Sequence, residues 1–123
     1  MTIKEVSEKY HISADTLRYY ERVGMIPPVP RTESGIRNYG PDECGWVELA
    51  ICMRRAGLPI EAMIEYVKLC QAGNATIAAR LRLLQCQKDK LLAQQAQTAE
   101  TLERLNHKID IYEQAIATGR LQW

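Results

Sequence analysis

Residues 13 to 39 decide the fold. They read Ser13-Ala-Asp-Thr-Leu-Arg18-Tyr19-Tyr20-Glu21-Arg22-Val-Gly24-Met-Ile-Pro27-Pro28, then, after Val29 and Pro30, Arg31-Thr-Glu-Ser34-Gly35-Ile-Arg37-Asn38-Tyr39. Ser13 is placed to cap a helix, and Asp15 in the first turn complements the helix dipole. Gly24 ends that helix, and Pro27, Pro28 and Pro30 forbid its continuation. Leu17 and Tyr20 fall on one face, which leaves Thr16, Arg18, Tyr19 and Arg22 on the other face or its flanks. Past the prolines comes a short basic loop centred on Gly35. Ile36 and Tyr39 flank its turn in a way that suits a short β-ribbon, a wing. A helix offering hydrogen-bonding and planar side chains, followed by a loop tipped with arginine and tyrosine, suits reading DNA edges and gripping the DNA backbone.

The neighbouring segments extend this pattern. Upstream, Ile3, Val6 and Tyr10 recur at helical spacing with Thr2 as N-cap, and His11-Ile12 makes a tight break before Ser13. Two short helices joined by a tight turn, with a polar outer face, make a helix-turn-helix. Downstream, Pro41-Asp42-Glu43 opens a third helix with proline and acids in its first turn. Its apolar set is Trp46, Val47, Leu49, Ala50 and Met53, and Ala56-Gly57 closes it. Pro59 starts a fourth helix with Ile60, Met63, Ile64 and Val67 inward, ending near Ala72-Gly73-Asn74.

From Ala75 the periodicity changes. Positions 77, 81, 84, 88, 91, 95, 98, 102, 105, 109, 112 and 116 step by alternating fours and threes, and most are leucine or isoleucine. Polar members (Lys88, Gln95, Thr98) cluster in the middle. Sustained 3.5-residue spacing is a coiled-coil signal, and a lone helix with this stripe would expose its leucines. The simplest partner is a second copy, a homodimer; the stripe alone leaves parallel and antiparallel pairing open. The expected fold class is therefore all-α with a small β-ribbon wing: a winged helix-turn-helix head over residues 1–73 and a coiled-coil dimerisation helix with a C-terminal tail over 74–123.

Composition narrows the functions. Charge is nearly balanced, 16 basic against 15 acidic residues, so a DNA footprint has to come from local placement of arginines and not from net charge. The N-terminal residues lack a signal-peptide core, and no run approaches a membrane span, which reads as cytoplasmic with no membrane partner. Cys44, Cys52, Cys70 and Cys86 are widely spaced without a Cys-x-x-Cys pair, and His11 and His107 lie far from all of them. A sequence-local metal site is not expected, nor any cofactor. Paired catalytic carboxylates, a Ser-His-Asp framework and a phosphate-binding glycine loop are all missing, which sets the enzyme class aside with no catalytic residues assigned.

Leu17-Arg18-Tyr19-Tyr20-Glu21 with Gly24-Met-Ile-Pro27, then Arg31-x-x-Ser34-Gly35-x-Arg37-x-Tyr39, then Met53-Arg54-x-x-Gly57, resembles the MerR family of bacterial transcription regulators. The likeness covers about residues 1–72 in motif detail. Cys52-Met53-Arg54-Arg55-Ala56-Gly57-Leu58 followed by Ile60-Glu61-Ala62-Met63-Ile64-Glu65-Tyr66 resembles the AdhR/NmlR branch, which responds to aldehydes and thiol stress. The resemblance implies a dimer with antiparallel dimerisation helices on a pseudo-palindromic promoter with an overlong spacer. The activated regulator would kink and untwist that DNA for RNA polymerase, a form of indirect readout.

By the same resemblance, Thr16, Arg18 and Tyr19 belong to the recognition helix, with Tyr19 on a phosphate and Tyr20 mainly packing. Arg31, Ser34, Gly35, Arg37 and Tyr39 belong to the wing, and Arg54 contacts the central phosphate; Arg55 has no family counterpart. Cys52 lies next to these arginines, and guanidinium charge suits a thiol that meets electrophiles, so it is the candidate sensor thiol. Cys44, Cys70 and Cys86 are read as packing residues. Metal-sensing members carry a cysteine at the start of the dimerisation helix, where residues 74–77 here are Asn-Ala-Thr-Ile, and others in a C-terminal loop that here has none. Metal or small-ligand sensing is thus an alternative, as is a non-sensing architectural DNA-bending protein.

Overall fold

The structure is a computed structural model and describes residues 1–121. It is built of helices: α1 (Ile3–Tyr10), α2 (Ala14–Val23), α3 (Pro41–Arg55), α4 (Ile60–Gln71), a 3-10 turn (Asn74–Thr76) and α5 (Ile77–Thr118). The chain packs as two units, Met1–Gln87 and the residues from Lys88 onward.

Local chemistry sets the boundaries of the first two helices. The Thr2 hydroxyl accepts from the Glu5 N–H at 3.2 Å while Glu5 Oε1 accepts from the Thr2 N–H at 2.9 Å, a reciprocal cap. His11 stops α1 in the left-handed region (φ 56°), where histidine is among the residues better tolerated. Ser13 Oγ accepts from the Thr16 N–H at 3.0 Å, and Gly24 ends α2 at φ 88°, which a Cβ would oppose.

The core of the first unit is apolar and closed. Val6 of α1, Leu17 of α2, Val47 of α3 and Met63 of α4 have no exposed surface, and Met25 and Ile26 pack among them after the α2 stop. The expected inward residues of α3 and α4 are buried or half-buried, joined by Cys44, Ile51 and Ala62. Trp46 and Tyr66 bring the two helices together with ring centroids 5.7 Å apart.

The joint after α4 is held by side chains. Thr76 Oγ1 donates to the Leu69 carbonyl at 2.6 Å, and Arg80 donates to the Gly73 carbonyl at 2.6 Å and to Thr76 Oγ1 at 2.9 Å. These donors answer carbonyls that a helix end leaves open. The packed unit reaches beyond residue 73 into α5, where Ala79, Leu83 and Gln87, four residues apart, form a covered face together with Arg80. The stripe residues Ile77, Leu81 and Leu84 point elsewhere and stay exposed.

The wing differs from the expected ribbon. Among the described residues there is no strand; one antiparallel bridge pairs Arg31 with Arg37. Asn38 N–H donates to the Pro30 carbonyl at 2.8 Å and Thr32 N–H to the Ile36 carbonyl at 2.7 Å, closing a loop around the Thr32–Gly35 turn. Pro28 and Pro30 have no N–H to extend a ladder, and the Val29 N–H is taken by Glu21.

Candidate nucleic-acid interface

The second helix of the pair, α2, carries its core residues Leu17 and Tyr20 inward and presents Arg18 to solvent. Among the described residues Arg18 is held by Asp15 alone, one turn back at 2.8 Å, with the arginine about half exposed and the aspartate almost fully so. Such a pair is readily exchanged for another acceptor. Thr16 is half-buried, with its hydroxyl 2.8 Å from that of Ser13, so it serves the cap as well as the face. Tyr19 is half-buried on the flank, with the Arg22 guanidinium 5.4 Å from its ring centroid. That cation stiffens the ring and adds charge beside it.

The wing tip is polar and open. Ser34 and Gly35 are exposed, and Gly35 takes φ 85° with no atom within 4 Å of where a Cβ would stand. Arg31 donates to the Gly35 carbonyl at 2.8 Å, bracing the turn from below. Arg37 Nε donates to Glu21 Oε1 at 2.7 Å, tying the wing's returning limb to α2. At the end of α3, Arg54 donates to the Leu58 carbonyl at 3.0 Å and is otherwise exposed.

Two buried tyrosines report how these charges converge. Burial pushes the Tyr39 hydroxyl up from its ordinary range; the charges of Arg37, Arg18 and Arg31 pull it down and Glu21 pushes it further up. Arginines from α2 and from both limbs of the wing therefore lie around one phenol. Burial likewise raises Tyr20, against the pull of Arg54 and Arg55 from the end of α3. Helix α2 thus lies near arginines of the wing and of the end of α3, and its own Asp15 and Glu21 pair with Arg18 and Arg37.

Tyr39 itself departs from the expected outward donor. It is 1% exposed, and among the described residues its hydroxyl has no hydrogen-bond partner. Its N–H donates to the Met1 carbonyl at 2.7 Å, which anchors the wing's last residue beside the start of α1. In this structure Tyr39 is a core residue under the charged surface. Alternation places Tyr39 on the same side as Arg37, and only the half-burial of Arg37 in the structure shows that this side faces inward. Sequence reasoning also gave Glu21 no role beyond its place in the motif.

The thiols separate by exposure. Cys44 is buried and Cys70 half-buried, whereas Cys52 on α3 and Cys86 on α5 are exposed. Cys86 is thus no packing residue of the single chain; it lies off both the covered face and the apolar stripe. No cluster of three or more metal-ligating side chains occurs among the described residues.

Residues 1–70 match the family described as MerR HTH family regulatory protein. The chain belongs to the MerR family of helix-turn-helix regulators, and within it to the AdhR/NmlR-like branch. It is 48% identical over 92 residues to the HTH-type transcriptional regulator AdhR of Bacillus subtilis, a match covering 75% of this chain and 66% of that protein. It is 31% identical to an HTH-type transcriptional regulator of Haemophilus influenzae over 98% of this chain and 90% of the other.

Among solved structures, a MerR family regulator from Listeria monocytogenes superposes with a TM-score of 0.92 at 45% identity, covering 97% of this chain and 90% of that one. HiNmlR, described as a MerR family regulator lacking the sensor domain and bound to promoter DNA, superposes with a TM-score of 0.87 at 31% identity, covering 98% and 95%. These relatives are named as regulators, consistent with a non-enzyme. No helix among the described residues is long and apolar enough to cross a membrane.

Proposed function

We propose that this DNA-binding transcription regulator acts as a cytoplasmic homodimer that distorts an overlong promoter spacer for RNA polymerase, switched by electrophile or oxidant chemistry at Cys52. Residues 1–73 act as the DNA-binding head and residues 74–123 as the pairing arm. The observation that carries the DNA assignment is geometric: Arg18 stands exposed on α2, Arg37 is tied to Glu21 of that helix at 2.7 Å, and the exposed Arg31 bridges to Arg37 across the wing. Thr16, Arg18 and Tyr19 meet bases and phosphates in the major groove. Arg31, Ser34, Gly35 and Arg37 grip the flanking backbone, and Arg54 takes a phosphate nearer the centre. Two heads on one pseudo-palindrome supply the contacts that offset the cost of bending and untwisting.

The homodimer is supported by the apolar stripe of α5. Leu91, Leu102, Leu105, Ile109 and Ile116 are each 42–85% exposed in the single chain, a pattern a second arm would cover. The sensor assignment is supported by the exposure of Cys52 two residues before Arg54, where a modified thiol would disturb the end of α3. In-vitro transcription from the promoter adjoining its own gene tests it, with wild type and Cys52→Ser, with and without an aldehyde or thiol oxidant. The variant is expected to bind DNA within about twofold of wild type and to lose induction. Retained induction would move the signal to a non-covalent ligand or a metal.

A further inference from the structure

Glu21 is an acid on a helix that meets a polyanion, a placement that by itself opposes DNA binding. Its surroundings explain why the chain carries it. The side chain is 16% exposed and that of Arg37 21%, so the pair is shielded and not a loose surface contact. The carboxylate is used on both oxygens: Oε1 accepts from Arg37 Nε at 2.7 Å and Oε2 from the Val29 N–H at 3.1 Å. Val29 stands at the root of the outgoing limb and Arg37 on the returning limb. One carboxylate therefore fastens both limbs of the wing to α2.

The choice of nitrogen matters. Glu21 takes Nε, and among the described residues the terminal Nη groups of Arg37 have no hydrogen-bond partner. Guanidinium is planar, so fixing Nε fixes the plane and the direction of the Nη edge. Asp15 holds Arg18 through Nη1 instead, on an exposed side chain, and leaves that group free to reorient.

We propose that Glu21 is a positioning residue for DNA binding: it neutralises its own charge on Arg37 Nε and on the Val29 N–H, and so presents the Nη edge of Arg37 ready-made to a backbone phosphate. This rests on the reading that Arg37 contacts DNA. The benefit is preorganisation, because an arginine already ordered in the free protein loses less freedom on binding.

The test uses the full-length protein and a duplex selected by the wild type from a random-sequence library. Dissociation constants are measured across a salt series for wild type, Glu21→Gln, Arg37→Ala, Arg37→Lys and the double variant Glu21→Gln/Arg37→Ala, with thermal melts alongside. Glu21→Gln is expected to weaken binding about tenfold, since both protomers must then order their arginine. It retains the Arg37 charge and therefore the wild-type salt slope. Arg37→Ala is expected to weaken binding and to reduce the slope by about 0.9 for each phosphate it no longer neutralises. The double variant should bind within about twofold of Arg37→Ala, the mark of two residues acting through one contact.

Arg37→Lys keeps the charge but cannot serve Glu21 and a phosphate with one rigid plane. It should bind as weakly as Glu21→Gln, and it supplies the test if Glu21→Gln melts below the assay temperature. Wild-type or tighter binding by Glu21→Gln beside a weakened Arg37→Ala would overturn the role of Glu21 and leave the Arg37 contact standing. Additive losses in the double variant, or wild-type binding by Arg37→Lys, would overturn it equally. Wild-type affinity for Arg37→Ala would remove the contact reading beneath it.

Discussion

The two packed units spend their apolar residues in opposite ways. In the first, Val6, Leu17, Val47 and Met63 have no exposed surface. In the second, Leu102, Leu105 and Ile109 are each more than half exposed, although the helix carrying them is as regular as any in the head. Burying a side chain of this size contributes about 1.5–3 kcal/mol, and the single chain realises almost none of it beyond residue 87. The head is therefore complete as a fold and the arm is not. In the function proposed above, the part that meets DNA closes its own core, and the part that would pair two heads leaves its apolar stripe for a second helix.

The largest effect expected comes from breaking the arm. In the proposed homodimer, Leu102→Glu with Leu105→Glu would place four carboxylates in the two-fold interface, because each substitution would occur twice. The variant should sediment as a monomer at micromolar concentration and bind the selected duplex at least about a hundredfold more weakly, since each half-site would be held alone. Its head should keep its own melting transition. Undiminished dimerisation would show that residues 102 and 105 lie outside the pairing surface.

A core substitution of similar chemistry sharpens the contrast. Leu17→Ala removes a fully buried side chain and should cost about 2–5 kcal/mol by thermal or denaturant unfolding. That destabilisation should not depend on protein concentration, whereas the one from Leu102→Ala should be largest where both proteins are dimeric and fade as dilution makes both monomeric. Concentration dependence in Leu17→Ala would mean that the head, too, is completed by a partner.

Legibility from the sequence follows the same division. The head's helices could be read because caps and stops are local: Thr2, Ser13, Gly24 and Pro41 each act within one turn. The arm could be read because a 3.5-residue stripe needs no tertiary context. Tyr39 and Glu21 resist such a reading. Tyr39 looks like a wing donor by type, and only the backbone pairing that seats it against Met1 turns it into the core. Glu21 has only its place in the motif until Arg37, 16 residues away, closes on it. The wing lacks its ribbon for a different reason: the outgoing limb meets its partner through Thr32 and Pro30, and Pro30 and Pro28 have no N–H to carry the ladder further. Long-range polar contacts are the blind spot; local caps and long periodicities are not.

The smallest effect expected probes the exposed counterpart of the Glu21 pair. Asp15→Asn removes the acceptor that holds Arg18, a contact worth at most about 1 kcal/mol at such exposure. Asp15 also complements the dipole at the start of α2, so a stability decrease of about 0.3–1 kcal/mol is expected from that change. DNA binding should move the other way. Arg18 would no longer have to leave a carboxylate, and the acid would no longer repel phosphates, so affinity should rise about two- to threefold at low salt and revert as salt screens the charge. A fall in affinity instead would place Asp15 beside Glu21 as a second residue that orders its arginine. The contrast between a free Arg18 and a held Arg37 would then fail.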